Sequence, residues 1–240
     1  MTAVAREART VRRACEIRIG TSSFVADACG ALWHESERTL LVADLHLEKG
    51  SSFARRGLLL PPYDTGATLA ALAAAVARYA PLRVVSLGDG FHDPQGAARL
   101  AADCRAALRA LQAGRDWVWA KGNHDPAAPA GLPGEHVEAC EVAGVEARHE
   151  PARDLTRKSE IAGHLHPVAR ILMRGASVRR RCFATDGRRC ILPAFGAYAG
   201  GLNLLSRAFS GLFDLSRLEA VVMGEDRVHV FGAPALCGAL

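Results

Sequence analysis

Residues 39–46 read Thr-Leu-Leu-Val-Ala-Asp-Leu-His, an aliphatic run that ends in a carboxylate and an imidazole two positions apart. A short apolar run bounded by polar residues is the mark of a buried strand. The pattern recurs: RVVSL (83–87) runs into Gly88-Asp89, and WVWA (117–120) runs, one lysine later, into Gly122-Asn123-His124-Asp125. Between these runs lie two helical stretches. Pro61-Pro62 precedes one from Asp64 to Tyr79, with Asp64 as its N-cap and Pro81 after its end. Asp93-Pro94 opens the other, which Gly114 closes. Strand, helix, strand, helix, strand over residues 40–120 predicts a parallel α/β arrangement.

Working outward, EIRI (16–19), SFVAD (23–27) and ALWH (31–34) are short strand-like segments with turn residues between them, a hairpin feeding the buried strand. Beyond Gly122 the pattern turns mostly β: VEACEVAGVEARHE, EIAGHLHPVARI, SVRRRCFATD, RRCILPAF and LEAVVMGEDRVHVFG are separated by Gly, Asp or Pro. No repeat or long linker divides the chain, so the expectation is a flexible tail over 1–15 and a single domain over 16–240. Half of the 240 residues are hydrophobic and the net charge is +5, which describes a globular protein with a mild basic balance. The seven cysteines form no CxxC pair and read as reduced, which points to the cytoplasm. No stretch is long and apolar enough to span a membrane, and the N-terminus has no secretory h-region.

The polar residues at the strand ends are metal-ligand types. If the strand continues through Asp44 and His46, both side chains share a face and meet one ion. Asp89 offers a carboxylate that can bridge two cations, with Gly88 allowing close approach. Asn123 offers a neutral carbonyl oxygen. His124 points elsewhere and is free to protonate a leaving group, with Asp125 placed to orient its imidazole. His149 ends the strand-like VEAR, and Gly163-His164-Leu165-His166 repeats the i, i+2 spacing with two imidazoles. His92 suits a contact to substrate or to a ligand, and Asp93 suits a helix cap. Asp44, His46, Asp89, Asn123, His149, His164 and His166 make two four-ligand sets when one carboxylate is shared. Mixed O/N coordination without cysteine favours two divalent transition-metal ions, Mn, Fe or Zn, over Ca or Mg. Such ions roughly 3.5–4 Å apart clamp a phosphate ester and activate water for in-line attack.

The order D-x-H, GD, GNHD, H, GHxH resembles the calcineurin-like metallophosphoesterase superfamily over roughly Asp44 to Pro167. The resemblance implies a four-layer α/β/β/α sandwich with a di-metal site at strand ends. It places Asp44, His46, Asp89 and His166 on one ion, Asp89, Asn123, His149 and His164 on the other, and His124 as general acid. His92 stands where that superfamily usually carries a second aspartate, in GDxxD. The segments ADLHLEKGSSFARRGLLLPPYDT, GDGFHD and ILPAFGAYAGGLN look like the bacterial DNA-ligase-associated metallophosphoesterase family, extending the likeness to about Asn203. That family implies a Mn-dependent phosphodiesterase or endonuclease of the DNA damage response, working beside an ATP-dependent DNA ligase, a helicase and an exonuclease.

Arg55-Arg56, Arg179-Arg180-Arg181 and Arg188-Arg189 could contact phosphates of a nucleic acid, or could be solvated surface. Aromatic residues are few, so no stacking platform for single strands is evident. The leading expectation is hydrolysis of phosphodiester bonds in DNA. A small-nucleotide phosphoesterase and a non-catalytic metal-binding scaffold are the alternatives, and an open groove rather than a capped pocket favours the polymer.

Overall fold

Alternation of inward Cys15, Ile17 and Ile19 with outward Glu16 and Arg18 sets the first long strand of the protein on a half-buried surface. The computed structural model describes residues 9–11, 13–155, 158–173 and 176–238. In chain order the first half comprises β1 (Arg9–Val11), β2 (Ala14–Ile19), β3 (Ser22–Asp27), β4 (Leu32–His34), β5 (Thr39–Ala43), α1 (Lys49–Ala54), α2 (Asp64–Tyr79), β6 (Arg83–Leu87), α3 (Gly96–Arg99), α4 (Ala102–Gln112) and β7 (Asp116–Ala120). The second half comprises β8 (Glu135–Val137), β9 (Ala139–Val142), β10 (Val145–Arg148), β11 (Glu160–Ala162), β12 (Pro167–Met173), β13 (Ala176–Thr185), β14 (Arg189–Ile191), β15 (Leu202–Asn203), β16 (Glu219–Met223) and β17 (Val228–Gly232).

Two large mixed sheets result. The first is seven-stranded in simple sequence order from β2 to β8. Its β2–β5 portion is an antiparallel meander, and β5, β6, β7 and β8 pair in parallel, as the strand–helix alternation predicts. The second is ten-stranded, in the order β1-β17-β16-β13-β14-β11-β10-β9, with β12 branching from β13 and β15 pairing with β12. Within it β10, β11 and β14 are mutually parallel.

The sheets face one another across a core that joins Ile17, Phe24, Leu41 and Val85 to Val145, Ile161, Phe183 and Val221. On the far side of the first sheet, Leu69, Leu72 and Val76 of α2 and Leu108 of α4 pack on Leu40, Val42, Val84 and Trp117. Those helical positions recur every three to four residues, so each helix lays one apolar stripe on the sheet. Each large side chain so buried contributes about 1.5–3 kcal/mol. Covered on both faces, β5 is buried at every residue, which is why it reads as a continuous apolar run.

The far side of the second sheet differs from the helical outer layer expected there. Ala169, Ala184, Ala220 and Val222 are covered by Leu204, Phe209 and Leu218 from loops and from 3-10 turns at Arg207–Phe209 and Ala233–Ala235. All α-helices among the described residues lie between β5 and β7. Tight antiparallel turns join β13 to β14 and β16 to β17 and leave no chain for a crossover helix.

Three local expectations need correction. The stretch read as a tail over 1–15 is strand at Arg9–Val11, where it pairs with β17, and again from Ala14; residues 1–8 and 12 lie outside the described residues. Asp64 is not the cap of α2. Tyr63 holds that position, and the buried Asp64 carboxylate accepts the Gly50 N–H at 3.0 Å. The second helix is two, because the chain is extended at Leu100 and Ala101, which sinks Leu100 into the core. No cysteine is disulfide-bonded among the described residues, and no helix is long and apolar enough to cross a membrane.

Candidate metal centre

Parallel strands deliver their C-terminal ends to one edge, and the loops leaving β5 and β6 zip together beyond the strands. Asp44 N–H donates to the Gly88 carbonyl (3.3 Å), His46 N–H to that of Asp89 (2.8 Å), and Leu47 N–H to that of Gly90 (2.9 Å). On the facing sheet, Gly163 N–H donates to the His149 carbonyl at 2.9 Å, joining the ends of β10 and β11. These contacts bring Asp44, His46, Asp89, Asn123, His149, His164 and His166 to one seam between the sheets.

The strand does not continue through Asp44 and His46. Both have left-handed backbone, with φ of 55° and 45°, as do Asp89, His164 and His166 at 46°, 67° and 46°. Left-handed geometry costs a non-glycine residue about 1–3 kcal/mol, which surrounding contacts must offset. Two glycines permit the crowding that results. A Cβ on Gly88 would collide with the His149 ring, and one on Gly122 would fall on the backbone nitrogen of Asp89.

Two clusters form. Asp44, His46 and His166 converge, with His166 Nε2 3.3 Å from Asp44 Oδ1 and 3.3 Å from His46 Nε2. Asp89, His149 and His164 converge, with His149 Nε2 3.5 Å from Asp89 Oδ1, 3.2 Å from His164 Nδ1 and 2.9 Å from Asn123 Oδ1. Asp89 faces both: its Oδ2 lies 3.8 Å from His46 Nε2 while its Oδ1 faces His149. The two carboxylates are fixed by backbone donors, Asp89 by His124 N–H at 2.9 Å and Asp44 by His164 N–H at 3.0 Å.

The chemistry of this donor set fits cations. His149 Nδ1 donates to the Leu87 carbonyl at 3.0 Å, which turns its Nε2 toward Asp89, Asn123 and His164. Burial, reinforced by neighbouring His166, His124 and His92, holds His46 neutral by lowering its pKa to about 2. Burial also lowers that of His164. Neutral imidazoles are the form that ligates. The two clusters can therefore hold divalent metal ions.

The remaining site residues behave less uniformly. His124 is half-exposed, its Nδ1 donates to the His92 carbonyl at 2.8 Å, and its Nε2 lies 3.9 Å from Asp89 Oδ2. The orienting partner expected in Asp125 is thus a backbone carbonyl. Asp125 instead turns under the β6 loop to accept the Phe91 N–H at 2.9 Å, and burial raises its pKa to about 7. His92 is buried against the site, not open to substrate. Its Nδ1 lies 3.4 Å from His46 Nδ1, and its ring stacks on His124 with centroids 5.0 Å apart. Burial lowers its pKa to about 4, so a neutral imidazole backs His46 where a carboxylate would stand in GDxxD. Asp93 does not cap α3, whose N-cap is Gln95; it pairs with Arg99 at 2.7 Å and accepts the Gln95 N–H in the preceding turn.

Arg55 and Arg56 are exposed just after α1, and the charge of Arg56 is felt at His92. Of the other arginines, Arg189 is no phosphate contact: it is fully buried in an ion pair with Glu160 at 2.7 Å. Arg179 is tied to the Gly201 carbonyl, Arg181 to that of Ala194, and Arg188 to that of Leu155. The basic groups that border the clusters were not singled out by sequence. Lys121 and Arg148 line an open cavity of about 300 Å³ shared with Asn123 and His149. Arg153 and Arg207 line another of about 370 Å³ shared with His164. Isolated basic residues give no sequence signal, since only the tertiary arrangement sets them beside the ligands.

With the geometry described, the likeness to known proteins can be stated. The crystal structure of Pseudomonas putida nuclease MPE superposes on this chain with a TM-score of 0.68 and 27% identity, covering 90% of this chain and 99% of that one. No protein-family model and no curated protein matches the chain.

Proposed function

We propose that this chain is a di-metal phosphodiesterase that cleaves nucleic acid, with DNA as its substrate. The observation that carries the reading is the pair of converging His/Asp clusters, with Asp89 facing both. The likeness to a nuclease along nearly its whole length supports the reaction class. Two divalent ions, when bound, supply Lewis-acid polarisation of a phosphoryl oxygen and lower the pKa of water. Asp44, His46, Asp89 and His166 would hold one ion, and Asp89, Asn123, His149 and His164 the other.

The chain's own residues do the rest. His124 donates from Nδ1 to the His92 carbonyl, which leaves Nε2 on the half-exposed side of the ring for a leaving oxygen. A proton held there is delivered as the P–O bond breaks, the role of a general acid. His92 packs against both His46 and His124 and keeps their rings in register. Open cavities beside Asn123 and His149 and beside His164 suit an extended chain better than an enclosed nucleotide. The finer parts of the reading rest on the sequence resemblance: manganese as the metal, DNA repair beside a ligase, a helicase and an exonuclease, and a cytoplasmic location.

The test compares Mn-loaded wild type with His124→Ala on bis-p-nitrophenyl phosphate, a mononucleotide, and nicked or flapped DNA. Cleavage of DNA by the wild type and a sharp loss in the variant are expected. Equal activity of both proteins on every substrate would remove His124 from the mechanism, and activity confined to the mononucleotide would replace DNA with a small nucleotide.

A further inference from the structure

The two cavities that flank the clusters differ in charge balance. Beside Asn123 and His149, each cation is already paired: Lys121 with Glu138 at 2.6 Å and Arg148 with Glu146 at 3.5 Å. Beside His164, the Arg153 and Arg207 guanidinium groups have no hydrogen-bond or ion-pair partner among the described residues, and both are exposed to the cavity mouth. One carboxylate, Glu150, shares that lining, so two fixed positive charges stand against one negative.

The walls that carry these arginines are tied together from beneath. Buried Arg189 donates from Nη1 to the Leu212 carbonyl at 2.6 Å and from Nη2 to the Ala152 carbonyl. Its Nε is held by Glu160 Oε2 at 2.7 Å, while Glu160 Oε1 accepts the Ala152 N–H at 2.8 Å. One buried ion pair thus fixes the backbone next to Arg153 and the loop that follows Arg207. Two guanidinium groups on a braced backbone, left without protein partners, are free to bind a phosphate, which accepts bidentate hydrogen bonds from arginine.

We propose that this cavity is a second phosphate subsite: with the scissile phosphate at the metal clusters, Arg153 and Arg207 hold a neighbouring phosphate of the same polyanionic chain. The subsite rests on the phosphodiesterase reading above and sharpens it, since it selects a substrate with more than one phosphodiester. His164 lines the cavity and belongs to a metal cluster, so a chain can occupy both without a gap. The cavity beside Asn123 and His149 offers no unpaired cation.

The test uses the full-length Mn-loaded protein and an Arg153→Ala/Arg207→Ala variant on a dinucleoside monophosphate and a trinucleoside diphosphate. In the wild type, kcat/KM is expected to be about tenfold or more higher on the longer substrate, the scale of one or two charge-assisted hydrogen bonds. In the variant that ratio should collapse toward unity. The same ratio in both proteins would overturn the subsite. Binding of the two compounds labelled with a fluorophore, read by anisotropy, gives the same comparison without turnover. If the wild type hydrolyses neither compound, the phosphodiesterase reading is still decided on DNA and bis-p-nitrophenyl phosphate, and the affinity ratio alone decides the subsite: lost in the variant, it stands; unchanged, it falls.

Discussion

The two sheets contribute to the site unequally. From the first come all the oxygen donors, Asp44, Asp89 and Asn123, after three adjacent parallel strands, together with His46 and His124. From the second come only imidazoles, His149 after β10 and His164 and His166 after β11. Both metal-type clusters that contain an aspartate draw from both sheets. A seam site of this kind exists only when the sheets are packed, so ion binding is linked to folding. The difference also teaches where stability and chemistry separate: the first sheet supplies the negative charge, while the second supplies only imidazoles and is braced by its own buried ion pair.

The sharpest way to break this division is Asp89→Ala, which removes the one side chain that faces both clusters. Phosphodiester hydrolysis should fall by roughly 10⁴-fold or more, because several kcal/mol of Lewis-acid stabilisation go with the metal pair. Metal analysis should find fewer than two ions per chain; two ions with wild-type turnover would mean that Asp89 is not shared. On the second sheet, Glu160→Ala strands the Arg189 charge in the core. The expected cost is about 3–5 kcal/mol in urea unfolding of the metal-free protein. A loss below about 1 kcal/mol would show that the pair does not brace this sheet.

His124→Ala separates catalysis from ligation within the first sheet. It should lower kcat on DNA by about 10²–10³-fold while both ions still bind. On bis-p-nitrophenyl phosphate the loss should be smaller, since that leaving group departs without a proton. An equal loss on both substrates would point to positioning rather than proton delivery. The smallest effect expected is from chelation. Removing metal present at 100 times its Kd should cost about 2.7 kcal/mol, a drop of several degrees in Tm. The shift should be weaker in Asp89→Ala, and an equal shift in both would place the bound metal away from the seam.

Much of this architecture was legible locally. β5, β6 and β7 are apolar runs and α2 is an amphipathic one, so period and run length revealed them. The donor clusters were legible because each follows such a run. Other features lay beyond local reading. Asp44 and His46 meet through left-handed turns, not by sharing a strand face. His164 and His166 stand two apart yet join different clusters. Asp125 answers to Phe91, 34 positions away, and so does not orient its neighbour His124. Arg189 sits in a basic doublet that reads as surface, and only its contact with Glu160 shows it to be core. Arg153 and Arg207 carry no motif, and they matter only because the walls of one cavity bring them together.

The amino-acid sequence by itself determined the strands, the two principal helical regions and the inventory of donors, because periodicity and side-chain chemistry act over a few residues. Tertiary structure decided which donors meet, which arginines are buried and which remain unpaired. Those outcomes depend on sheet order, on backbone strain offset by packing, and on contacts between residues far apart in the chain.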